Sequence, residues 1–223
     1  MTRSEWSQLK RKAQAGDAKA QWKVGYWFEE GLTDPNGSVL VRPDACAAAR
    51  WYRLSATAGD SSAQINLGNL LSTSGSGIRR DDAEALCWYK RALRQGNCSA
   101  ANNIATVYRD KGDNRRAMFW YRRAVARGDE DALIEVGYRY YRGIGVRCDP
   151  NKAVRCFRKA IASQTISIAG REDAMFHLGV AFHEGRGVKR SGARALKWLS
   201  RANEDDDHKR ARNLIEKIGK ERS

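Results

Sequence analysis

The octapeptide Ala117-Met-Phe-Trp-Tyr-Arg-Arg-Ala124 limits what this chain can fold into more than any other stretch, because it recurs. Versions of it read Ala48-Ala-Arg-Trp-Tyr-Arg-Leu-Ser55, Ala85-Leu-Cys-Trp-Tyr-Lys-Arg-Ala92, Ala153-Val-Arg-Cys-Phe-Arg-Lys-Ala160 and Ala195-Leu-Lys-Trp-Leu-Ser-Arg-Ala202. Five copies spaced by a few dozen residues imply stacked supersecondary units. Within a copy, small residues at i and i+7 bracket aromatic slots at i+3 and i+4, the spacing of one apolar helix face. The Trp slots Trp51, Trp88, Trp120 and Trp198 are therefore expected in the core.

Four residues before each leading Ala stands Asp44, Asp81, Asp113, Asp149 or Ser191. Each can accept a hydrogen bond from the free N–H groups of a helix start. Gly59, Gly96 and Gly128 follow three of the copies, and Gly16 follows a truncated one from Leu9 to Ala15; all four are placed to close helices. Gly170 is expected to close the fourth. Four residues past each closing Gly a second helix is expected, with Ala, an apolar residue and a small residue in series: Ala20/Val24/Gly25, Ala63/Leu67/Gly68, Ala100/Ile104/Ala105, Ala132/Val136/Gly137 and Ala174/Leu178/Gly179. The turn joining the two helices is written three times, as Gly75-Ser-Gly-Ile78, Gly143-Ile-Gly-Val146 and Gly185-Arg-Gly-Val188.

A Gly-x-Gly-Val turn between two helices, followed by Asp, Ala and Trp-Tyr, resembles the Sel-1-like repeat, a relative of the tetratricopeptide repeat. The resemblance runs from about Leu9 to about Ala202. It implies an all-α, right-handed α-solenoid of about five helix-turn-helix repeats that serves as a scaffold or adaptor for other proteins, mostly in bacteria. The expected organisation is a single array over 1-223: a half repeat 4-16, repeats at about 17-59, 60-96, 97-128, 129-170 and 171-203, and a capping helix at about 205-219. Irregularities stand out against that pattern. Leu32 to Arg42 expands the first turn around Asp34-Pro-Asn-Gly37, the third unit turns through Lys111-Gly112-Asp113, and Ser163 to Gly170 lengthens the fourth unit. Insertions in arrays tend to fall on one face and can carry binding.

Chemistry is sparse. No Gly-x-Ser-x-Gly, phosphate loop or Cys-x-x-Cys pair occurs, and no cofactor is expected. His177 and His183 are six residues apart, on different faces of one helix, and Asp205-Asp206-Asp207-His208 reads as an acidic helix start rather than a metal site. An enzyme is not expected. Cys46, Cys87, Cys98, Cys148 and Cys156 are odd in number and out of register, which argues for free thiols. With no run of eighteen apolar residues and no apolar leader, a cytoplasmic location is expected and no membrane span.

Charge is the remaining signal. Lys and Arg number 41 against 26 Asp and Glu, a net charge of +15. Arg53, Lys90, Arg122 and Arg158 follow the Trp slot by two residues, and Arg91, Arg123, Lys159 and Arg201 by three, which describes a basic stripe. A second strip lies on the other helix of each unit: Lys23 and Tyr26, Asn66 and Asn69, Asn103 and Thr106, Glu135 and Tyr138, His177 and Val180. These positions suit a ladder along the inner curve that binds a partner, or polar groups that satisfy one another. Three functional readings follow: a protein-interaction scaffold, including an inhibitor or immunity-type protein, with a partner that is acidic; a nucleic-acid binder; and a regulator of an enzyme complex. The first is preferred, because repeat arrays bind through extended surfaces and no nucleic-acid motif is present.

Overall fold

The computed structural model describes residues 1–73, 75, 77–204 and 208–220. The chain divides into two compact units, Met1–Val107 and Tyr108–Ser223. The first holds α1 (Arg3–Gln14), α2 (Ala18–Glu30), β1 (Leu32–Thr33), β2 (Val39–Val41), α3 (Ala45–Thr57), α4 (Ser61–Ser72), α5 (Asp82–Arg94) and most of α6 (Ser99–Asp110). The second holds the end of α6 and then α7 (Asn114–Val125), α8 (Ala132–Arg142), α9 (Pro150–Ala162), α10 (Ile168–Glu184), α11 (Gly192–Ala202) and α12 (Lys209–Lys220). Consecutive helix-turn-helix pairs account for nearly all of it, the fold class of an all-α solenoid.

Local chemistry sets the helix starts. The side chains of Asp44, Asp81, Asp113, Asp149 and Ser191 accept from the backbone N–H three residues on, at 2.9 to 3.3 Å, and so begin α3, α5, α7, α9 and α11. Gly16, Gly59, Gly96 and Gly128 hold φ between 86° and 99° just past a helix end. Gly170 does not share that role. It lies in the first turn of α10, where Ser167 caps the helix by accepting from the Gly170 N–H at 3.0 Å, and a Cβ there would overlap Asp131 Oδ1. α9 instead ends on the extended residue Ser163.

The core corrects the helix phase by one residue. Tyr52, Tyr89, Tyr121, Phe157 and Leu199, all one position after the Trp slot, are at most 1% exposed, whereas Trp51, Trp120 and Trp198 are half-buried and only Trp88 is buried. The cause lies on the facing helix. A Cβ added at Gly25, Gly68, Gly137 or Gly179 would stand 2.5 to 2.7 Å from the side chain of Tyr52, Tyr89, Phe157 or Leu199. The glycine lets the two backbones close onto that side chain, which puts the i+4 residue at the centre of the pair and the i+3 Trp at its rim.

The expanded first turn forms a two-stranded antiparallel hairpin pairing Leu32 with Val41. Asp34 shapes its tip, its carboxylate accepting from the N–H groups of Asn36 and Ser38 at 2.9 and 2.8 Å. Leu32 and Val41 are buried with Trp6 and Val24, so the insertion closes the core at the start of the chain. Asp205, Asp206 and Asp207 lie outside the described residues; His208 is half-buried, its ring 5.1 Å from that of Phe176 and its Nε2 3.4 Å from Asp173.

Candidate functional site

The ladder positions fall on α2, α4 and α6 in the first unit and on α8 and α10 in the second. In the first unit a buried tyrosine hydroxyl needs partners, and the ladder provides them. Tyr52 donates to Glu29 Oε2 at 2.6 Å and accepts from Asn66 Nδ2 at 3.0 Å. Tyr89 donates to Asn69 Oδ1 at 2.8 Å, and the same oxygen accepts from Asn103 Nδ2 at 3.0 Å. Burial pushes both phenols up, Tyr89 to about 12. Asn66 and Asn69 are thus joined to the core tyrosines, and Asn69 is joined across repeats to Asn103. Lys23 and Tyr26 remain exposed, Tyr26 leaning edge-on against Trp27 at 5.0 Å, and Thr106 is half-buried.

In the second unit Glu135 lies 3.8 Å from Arg109 and 3.7 Å from Arg139, a guanidinium only 3% exposed that rests 4.9 Å from the ring of Tyr121 and donates to Asn114 Oδ1 at 3.2 Å. Tyr138 is exposed and its ring is 5.4 Å from that of His177. His177 also stacks on Phe157 at 5.1 Å and meets Phe176 edge-on at 5.2 Å. Enclosure by these rings brings its pKa down to about 4, with Arg210 and His208 adding to the effect and Asp173 opposing it. A histidine held neutral in the fold and free to protonate near 6.5 when unfolded loses stability as pH falls through that interval. Between pH 7 and pH 5.5 the parent should lose about 1 kcal/mol more in urea unfolding than His177→Gln. Equal losses would show that the ring is not enclosed.

The basic stripe separates into two kinds of residue. At the position three past the Trp slot, guanidinium groups cover indole rings: Arg91 over Trp88 at 4.5 Å, Arg123 over Trp120 at 5.4 Å and Arg201 over Trp198 at 5.0 Å. These cations cover the buried Trp88 and the half-buried Trp120 and Trp198, and are partly structural. At the position two past it, Arg53 grips both oxygens of Glu84, whose carboxyl is held below the usual range mainly by that contact. Lys90, Arg122 and Arg158, like Lys159, are exposed and form no ion pair among the described residues.

One feature of the surface was not anticipated from the sequence. Arg115, Phe119 and Arg122 share a face of α7, and with Met118, Arg123, Arg127 and the turn residues Gly145 and Val146 they line a groove of about 700 Å3. Its signal in the sequence is Phe119 itself, since the other copies of the motif carry Arg50, Cys87, Arg155 and Lys197 at that place. Among the described residues no group of three or more His, Cys, Asp or Glu could hold a metal ion, and all five cysteines are free. No described helix is long and apolar enough to cross a membrane.

Comparison with known proteins agrees with this architecture. The Sel1 repeat family matches residues 18–60, 61–97, 99–129, 130–164 and 172–207. Among solved structures, a protective antigen of uropathogenic Escherichia coli displaying an SLR fold is similar at 27% identity and a TM-score of 0.80, over 97% of this chain and 44% of that one. This chain thus spans less than half the length of that antigen. A Sel1 repeat protein from Oxalobacter formigenes is similar at 26% identity and a TM-score of 0.70, over 95% of this chain and 84% of that one. One from Klebsiella pneumoniae, at 22% identity and a TM-score of 0.52 over 96% of this chain and 99% of that one, speaks for the fold alone. No curated protein matches.

Proposed function

The chain belongs to the Sel1 repeat family, and from that premise we propose that it is a non-enzymatic interaction scaffold whose partner is an acidic protein held on the basic surface of residues 108–223. Sel1-repeat folds generally mediate protein–protein interactions. The observation that carries the finer reading is the distribution of uncompensated charge. Residues 1–107 hold 14 Lys and Arg against 10 Asp and Glu, while residues 108–223 hold 27 against 16. Within the second unit Arg115, Arg122, Arg127, Arg158 and Lys159 are exposed with no ion pair among the described residues. Such a surface steers an acidic partner toward it and remains available for contact. The asparagine ladder of the first unit is less suited, because Asn66, Asn69 and Asn103 already bond within the fold. A cytoplasmic setting fits five unpaired thiols, four of them exposed.

The test is affinity capture from nuclease-treated lysate of the source cells, with the parent and with Arg122→Glu/Arg158→Glu. Arg123 is left in place because it covers Trp120. An acidic protein should be retained by the parent at physiological salt, be released as salt rises and be lost from the variant. Retention that disappears on nuclease treatment, or that ignores the charge reversal, would overturn the proposal.

A further inference from the structure

We propose that the groove between α7 and the 143–147 turn is a docking site for an acidic protein segment carrying one aromatic or long aliphatic side chain. The inference rests on the acidic-partner reading above and goes further by locating the contact and stating what must fill it. Phe119 is 57% exposed on a well-formed helix, at a place where three of the four sister motifs carry a cation. It is held rather than loose: its ring stands edge-on to Trp120, with centroids 5.5 Å apart and planes at 87°. Met118, 3% exposed, closes the groove beneath it.

The opposite wall is equally fixed. Gly145 (φ 70°) presses its backbone so closely on the Asn114 carbonyl that any Cβ there would overlap it, and Val146 follows at the groove's edge. An apolar slot already shaped in the free protein costs little ordering when it is filled.

Charge decides the occupant. Arg115 lies one turn before Phe119, Arg122 one turn after it and Arg127 beyond the helix end, and none of the three pairs with an acid among the described residues. An isolated hydrophobic peptide would leave these guanidinium groups facing each other, whereas carboxylates flanking an apolar anchor match both features at once. A nucleic-acid strand would ask for a run of stacking rings along a phosphate track; here one exposed ring sits in one slot.

The experiment uses the full chain and three labelled heptapeptides, Glu-Asp-Glu-X-Glu-Asp-Glu with X as Phe, Leu or Ser, in fluorescence anisotropy at 50 and 150 mM NaCl. The Phe and Leu peptides should bind at least about tenfold more tightly than the Ser peptide, the scale of one buried anchor. Phe119→Ala should erase that preference while melting close to the parent, and Phe119→Leu should keep most of it. Arg115→Ser/Arg127→Ser should weaken all three peptides, and Lys90→Glu, exposed on α5 and outside the groove, should leave the preference intact. If the three peptides bind alike and Arg122→Glu abolishes all of them, the groove is refuted and the acidic-partner reading stands. If none binds while the captured protein is still retained, the groove is likewise refuted. An RNA 12-mer that displaces the Phe peptide at lower concentration in 150 mM salt would overturn the choice of a protein occupant.

Discussion

Tyr121→Ala is expected to destabilise the protein by about 3 to 5 kcal/mol, and Trp120→Ala, one residue away on the same helix, by only about 1 to 2. Tyr121 is 1% exposed and its ring supports the buried guanidinium of Arg139, so truncation removes apolar contacts and leaves a desolvated cation without its neighbour. Trp120 is half-buried, and part of what it contributes is the cover Arg123 lays over it. Adjacent positions on one helix share propensity and position in the array, so the difference isolates which face is inside. Urea unfolding followed by circular dichroism measures it. In a repeat array stability is a sum of local terms, so the Tyr121 variant should also broaden or split the transition. Equal costs, or a larger one for Trp120, would mean that the helix phase is wrong.

Gly68→Ala should cost about 1 to 3 kcal/mol, although Ala is the better helix former. The added Cβ would stand 2.5 Å from one ring carbon of Tyr89 and 2.8 Å from another. That ring cannot swing aside cheaply, because its hydroxyl is tied to Asn69 at 2.8 Å and lies 3.0 Å from Ser72 Oγ. Gly219→Ala is the matched control. It lies in α12 with open space around it, so the same change should stabilise by roughly 0.5 to 1 kcal/mol. A gain at both sites would show that α4 and α5 are not in glycine-mediated contact.

These two cases mark where the sequence was legible. Helix starts were, because a cap is a local event: Asp44, Asp81, Asp113, Asp149 and Ser191 each bond three residues on. The inward face was blurred, because Trp and Tyr stand side by side and a 3.6-residue period hardly distinguishes i+3 from i+4. What settles it in four of the five copies is a glycine 20 to 27 residues upstream, seen only once the helices pack. Gly170 misled for a related reason: a glycine in register reads as a helix closer, while Ser167 was the cap of the next helix. The polarity of the ladder was readable, but its hydrogen bonds join residues 14 to 34 apart, and sequence left their partners open. The α7 groove was missed because Phe119 passed as one more aromatic in an aromatic motif. Only comparison of that place across the copies sets it apart.

Hydrogen exchange on the complex with the captured partner tests the functional account most directly. Protection is expected over α7, the 143–147 turn and the exposed side of α9, with α2 and α4 exchanging as in the free protein. Protection confined to the ladder helices, with α7 unchanged, would contradict it.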